Sequence, residues 1–255
     1  DVARLAGKRV AIVDDVRYRV GRAVGWRLGN GVRFERSDDA DGRPIAWRWR
    51  GPSPLPEWRY RWSEDGLPSA IVGRDDERRF GWDALGRLII HERHSRRGLE
   101  RGEAPESEFF AWDLAGDLRL AKSAQGLTRG DAELELTRDA LGRPSRHGEF
   151  DLRYGAQHRI AAVESGSQAI ARYSYNASGE RAIKAVGAKT TGFLYRGRRI
   201  AAETDAEGRI SRHYLYWLGT PTAIVERRGS ETRVFWLHGD HLGTPLAATD
   251  SLGRQ

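Results

Sequence analysis

The 255-residue sequence contains neither cysteine nor methionine. Without cysteine there are no disulfides, no thiolate nucleophile and no Cys-ligated metal, which fits folding in a reducing compartment. With no methionine and an opening Asp1-Val2-Ala3, the sequence reads as a piece of something longer. Lysine is scarce: only Lys8, Lys122, Lys184 and Lys189 occur, so the formal charge of +7 rests almost wholly on arginine. Acidic residues are interspersed among the arginines, as in Arg33-Phe34-Glu35-Arg36 and Glu226-Arg227-Arg228. A nucleic-acid-binding stripe needs a concentrated basic block, so no nucleic-acid partner is expected. No apolar run approaches the roughly 18 residues of a membrane-spanning helix.

What is abundant is equally informative. Nine Trp, eight Tyr and seven Phe accompany a 31% charged composition. That much aromatic surface is meant to pack, which argues against disorder. Thirty glycines recur along the whole chain and look like turn punctuation. Many belong to one pattern, Asp-x-x-Gly followed often by Arg. It appears at Asp39–Arg43, Asp83–Arg87, Asp139–Arg143, Asp205–Arg209 and Asp250–Arg254, with weaker copies at Asp113–Asp117 and Asn176–Glu180. Copies lie 26 to 45 residues apart, and the two longest gaps leave room for a degenerate copy each, one of them around Glu64-Asp65-Gly66.

The flanks alternate with the period of two that a strand requires. Trp58-Arg59-Tyr60-Arg61-Trp62 places its aromatics on one face and its arginines on the other. Val16–Val20, Ile45–Arg50, Glu133–Leu136 and Phe150–Tyr154 read the same way. Helical periodicity has no comparable claimant, and the chain reads as all-β. In each repeat the Asp suits the first position of a type I turn, where its carboxylate accepts backbone N–H groups further on. The Gly suits the left-handed position that starts the return strand as a bulge. The following Arg can lay its apolar stem over a neighbouring aromatic while its head stays wet.

The repeats, often with an aromatic just before the Asp as in Gly81-Trp82-Asp83, resemble the tyrosine-aspartate (YD) repeats of Rhs proteins. More specifically, Asp240-His241-Leu242-Gly243-Thr244-Pro245 resembles the Asp-His-Leu-Gly-Thr-Pro segment of Rhs cores. The resemblance covers residues 30–255, whereas residues 1–29 alternate suitably but carry no copy. It implies a hairpin-repeat β-sheet spiralling as part of a hollow cocoon, like the shells of Tc toxins and teneurins. It also implies a role, that of a non-catalytic segment of a shell enclosing a C-terminal toxin, made in the bacterial cytoplasm and secreted, often by type VI secretion, for interbacterial competition. The implied partners are the remainder of the shell, the toxin, a secretion spike and an immunity protein. The self-cleaving junction and the toxin itself are expected outside these 255 residues.

Chemical sites are few. His238, Asp240 and His241 are the most tempting metal or acid–base cluster, but no third ligand is indicated and a packing role is favoured. His91 and His94 have a helical spacing in a strand context. Gly187-Ala188-Lys189-Thr190-Thr191 lacks the spacing of a phosphate loop, and Asn176-Ala177-Ser178 places a glycosylation sequon inside a repeat turn. No catalytic, cofactor or metal residue is assigned, and no cofactor is expected. The rival reading is a surface adhesin or carbohydrate-binding β-protein in which Trp47, Trp49, Trp58 and Trp62 stack on sugars. An excised spiral would expose sheet edges, so association through them is expected.

Overall fold

The computed structural model describes residues 2–5, 8–114, 116, 118–123, 128–129 and 136–255. It is built from antiparallel meanders in which strands pair in chain order. Val2–Leu5 pairs with Lys8–Ala11, eleven strands run from Val13–Arg19 to Thr128–Arg129, and twelve run from Leu136–Arg138 to Pro245–Thr249. The all-β expectation holds, and the strands at 57–62, 44–50 and 150–154 fall where alternation places them. The alternation at Glu133–Leu136 falls almost wholly outside the described residues. One helix departs from the sequence reading. Arg96–Arg101 forms because Ser95 caps it, accepting from the Gly98 N–H at 2.9 Å, and Gly102 ends it at φ 68°.

The repeat turn has one internal geometry. In Asp39–Arg43 the Gly42 N–H donates to the Asp39 carbonyl at 3.1 Å, and the Asp39 N–H donates to the Arg43 carbonyl at 2.9 Å. Oδ1 of Asp39 accepts from the N–H groups of Asp41 and Arg43. Gly42 sits at φ 78°, where a side chain costs about 1 kcal/mol or more. The expected bulge follows, since the register shifts between Ser37 and Asp38. The arginine does more than stay wet: Arg43 Nε returns to Asp39 Oδ2 at 2.7 Å, and Arg87, Arg143, Arg209 and Arg254 repeat this with their own Asp. At Asp83, the Arg87 N–H first, then the Arg87 guanidinium and the Leu85 N–H, outweigh desolvation and hold the carboxyl below its ordinary value.

Among the described residues four further turns share this geometry without the full motif, the first being Leu28–Val32 with Gly31 at φ 85°. Ser63–Leu67 fills the first long gap, with Ser63 Oγ replacing the carboxylate. Gly155–Arg159 carries His158 at φ 55° in the glycine position. Asp240–Thr244 fills the last gap, so the segment read as a separate motif is itself a repeat turn.

Six aromatic residues tie a hairpin to an earlier turn. Trp62 Nε1 donates to the Pro44 carbonyl at 2.9 Å, Trp82 to Pro68 at 2.8 Å and Trp112 to Leu88 at 2.8 Å. Tyr154, Tyr175 and Tyr195 do the same through their hydroxyls, to Pro144, Ile160 and Arg181. In all but the last, the aromatic stands immediately before the first residue of a repeat turn, and every acceptor lies two residues past the left-handed position of an earlier turn.

The chain divides into two compact units, one of residues 1–128, 215–224 and 232–255, the other of residues 129–214 and 225–231. The first holds a continuous core of Ile12, Val13, Leu28, Val32, Phe34, Trp47, Trp49, Leu55, Tyr60, Ala223 and Trp236. Among the described residues of the second, only Ala171, Ala202, Thr204 and Val225 are buried.

Candidate functional site

Within the first unit, the hairpin formed by Glu231–Gly239 and Pro245–Thr249 meets three aromatics of the early sheet. Alternation puts Trp47 and Trp49 on one face of their strand. Their indole N–H groups converge on the Gly239 carbonyl at 2.8 and 3.0 Å, using both of its lone pairs. His241 Nδ1 lies 2.9 Å from the Tyr60 hydroxyl, with the rings edge-on at 4.7 Å. Burial first, then the nearby Asp240 carboxylate, pushes the Tyr60 phenol up, and burial lowers His241 against the pull of Asp240.

His238 is completely buried. Its ring packs edge-on to Trp49 at 4.8 Å and its Nε2 lies 2.8 Å from Thr249 Oγ1. Asn30 Nδ2 donates to the same hydroxyl at 2.8 Å and to the Asp250 carbonyl at 2.9 Å. Nδ1 of His238 is buried without a protein partner, and burial pushes the imidazole down to about 4. His238, Asp240 and His241 thus have separate tasks: a core contact, a turn cap and a hydrogen bond to Tyr60. Among the described residues no three His, Cys, Asp or Glu side chains are grouped to hold a metal.

The other sequence candidates are also placed. His91 stacks on Phe80 and bonds Glu108 at 3.0 Å, and His94 lies on the opposite face of the same strand. Gly187 belongs to a hairpin that pairs Val186 with Lys189. Asn176 caps its turn through the Glu180 N–H. Trp47 and Trp49 are buried, whereas Trp58 and Trp62 are half-buried, with Trp62 in the turn ladder.

Beside the Trp47–Gly239 contact lies a cleft of about 250 Å³. Trp26, Trp47, Trp49 and Trp217 form its aromatic wall, and Arg22, Arg36, Thr220, Asp240 and His241 bring polar groups to it. Sequence reading missed Trp26, Trp217 and the two arginines, because no motif joins residues about 190 positions apart.

No protein-family model matches the chain. Over 98% of its length it superposes on a chain of the Photorhabdus luminescens Tc holotoxin pore carrying TccC3-D651A, with TM-score 0.72 and 15% identity. The TcdB2-TccC3-Cdc42 crystal structure gives 0.73 over the same share. The fold is that of the Rhs/Tc-toxin β-shell. At 15% identity this shell likeness concerns fold alone. In sequence, double-stranded DNA deaminase toxin A of Burkholderia cenocepacia (strain H111) is 27% identical over 250 residues, covering 80% of this chain. The tRNA nuclease WapA of Bacillus subtilis (strain 168) is 26% identical over 123 residues, covering 47%. The chain spans 16% of the first protein and 5% of the second.

Proposed function

We propose that this chain is a wall segment of an Rhs-type toxin shell, itself non-catalytic, whose parent encloses a C-terminal toxic effector and is secreted to act on competitor cells. The observation that carries the reading is the ladder of aromatic ties from Trp62, Trp82, Trp112, Tyr154, Tyr175 and Tyr195, each of which docks one hairpin on an earlier turn without needing a second sheet. A wall of this kind extends by repetition. The polar and aromatic residues that resemble a site serve as turn caps and core contacts. Support comes from the superposition over 98% of the chain and from relatives named as a toxin and a nuclease that extend far beyond the matched segment. The implied partners are the rest of the shell and its cargo.

The test is limited proteolysis of the full-length parent. The C-terminal effector segment is expected to resist protease until the shell is unfolded. An effector as sensitive inside the parent as when isolated would refute enclosure.

A further inference from the structure

We infer that the cleft in the first unit binds a neutral pyranose sugar. Its wall is a rigid aromatic corner: Trp26 and Trp217 have centroids 4.7 Å apart with planes at 61°, and Trp26 is braced by Phe34 at 4.0 Å and Trp49 at 6.0 Å. Such a wall alone accepts any apolar face, so the rim decides the class of ligand.

Both arginines at the rim are already compensated. Arg22 donates to the Gly42 carbonyl and lies 3.7 Å from Asp38, while Arg36 pairs with the same Asp38 and lies over the Trp47 ring. Neither presents a free charge to an anion, and Asp240 lines the same space. A wholly apolar ligand fits no better, because covering Asp240, His241 and the guanidinium groups without hydrogen bonds would desolvate them. A pyranose satisfies both halves. It offers a C–H face to the indoles and hydroxyls that donate to Asp240 and accept from the arginines. The cleft has room for one ring.

Leu218 and Gly219, at φ 47° and 86°, form the two-residue turn between Ile210–Trp217 and Thr220–Arg228, the left-handed pair that such a hairpin requires, and this turn sets Trp217 at the mouth. The rim is also held in position, since Tyr60 fixes His241 through Nδ1 and the N–H groups of Leu242 and Thr244 fix Asp240 through Oδ1.

This site stands apart from the shell proposal, and its failure would leave that proposal untouched. The 255-residue chain is titrated with methyl α-glucopyranoside, methyl β-galactopyranoside and N-acetylglucosamine, followed by tryptophan fluorescence and saturation-transfer NMR. At least one sugar is expected to bind with a Kd of about 1 mM, as a single small ring allows, with saturation concentrated on its ring C–H protons. Trp217→Leu should weaken binding at least tenfold. Arg22→Ala, on a half-exposed side chain outside the core, should weaken it several-fold with an unchanged circular dichroism spectrum and melting temperature. No binding by any of the three sugars, equal binding by wild type and Arg22→Ala, or tighter binding of uridine or benzoate than of the sugars would each overturn the assignment.

Discussion

The two units use one repeat in two different ways. In the first, the turn-preceding aromatics are Trp62, Trp82 and Trp112, and the sheet lies against a buried cluster centred on Phe34. In the second they are Tyr154 and Tyr175, with Tyr195 making the same tie one residue ahead of a two-residue hairpin turn, and few side chains are buried. Guanidinium groups cover aromatics in both units, Arg36 over the buried Trp47 and Arg43 over Trp62 in the first, but in the second the rings they cover are all half-buried: Arg143 lies 4.3 Å over Tyr154, Arg159 5.6 Å over Tyr175 and Arg181 4.9 Å over Phe193. The hydrogen-bond ladder is therefore the common device and the hydrophobic core is an addition. A repeat whose register is set by turns and aromatic ties can form a layered core or a single sheet without changing its motif.

The sharpest way to break this comparison is to delete one large side chain from each unit. Phe34 is fully buried among Trp26, Trp47 and Trp49. Phe34→Ala should cost about 3–5 kcal/mol. Phe193→Ala, half-buried beneath Arg181, should cost about 1–2 kcal/mol, because solvent already reaches its surroundings. Denaturant unfolding read by hydrogen exchange separates the two. Equal costs would mean that the second unit has a core of comparable depth.

Acid distinguishes the units next. His238 is lowered from 6.5 to about 4 by burial, and its neighbours Thr249 and Trp49 carry no charge to offset a proton. Its folded value lies below its unfolded one, so the unfolded state takes up the proton first. Stability of the first unit is complete above about pH 6.5 and falls progressively down to about pH 4, by on the order of 3 kcal/mol. The repeat carboxylates lie outside this window, because Asp83, Asp139 and Asp205 are held below 3.8 and lose their contribution only under that pH. His238→Gln should remove most of the dependence between pH 6.5 and 4 in the first unit, leaving the part due to His241, which burial also lowers, while the second unit is unchanged by it. An identical acid profile in wild type and variant would show that another group controls the transition.

Turn chemistry gives a pair of opposite signs within the second unit. Gly142 at φ 74° and His158 at φ 55° occupy equivalent positions in successive turns. Gly142→Val should destabilise by about 1–3 kcal/mol. His158→Gly should stabilise by about 1 kcal/mol, a gain from relieving the left-handed backbone that is partly offset by loss of the exposed hydrogen bond to Arg143. Melting temperatures of the two variants should move in opposite directions.

These turns also mark how far the sequence could be read. Asp39–Arg43 and its full copies are local, since a carboxylate, a glycine and their intervening N–H groups lie within five residues. Gly155–Arg159 and Asp240–Thr244 were less legible: one lacks both signature residues, and the other lacks the arginine and looks like a motif of its own. The aromatic before the Asp was visible, but its acceptor was not, because the carbonyl two residues past an earlier turn becomes a neighbour only once register is set. The convergence of Trp47 and Trp49 on Gly239 is less accessible still, joining groups 190 residues apart with nothing in the intervening pattern to pair them.

The smallest effect tests the shared device itself. Tyr175→Phe keeps the ring beneath Arg159 and removes only the hydroxyl that donates to the Ile160 carbonyl at 2.8 Å. One neutral hydrogen bond of this kind contributes about 0.5–1.5 kcal/mol. The loss should be local, raising exchange of amides around the Gly155 and Asn176 turns while leaving the Asp205 turn unaffected. Trp82→Phe, which removes the donor to Pro68 together with part of the ring, should cost more, because packing is lost with the bond. If Tyr175→Phe leaves both stability and those exchange rates unchanged, the tie does not hold successive turns in order. Pairing between strands alone would then set the repeat, and the two units would differ in core and share only their turns.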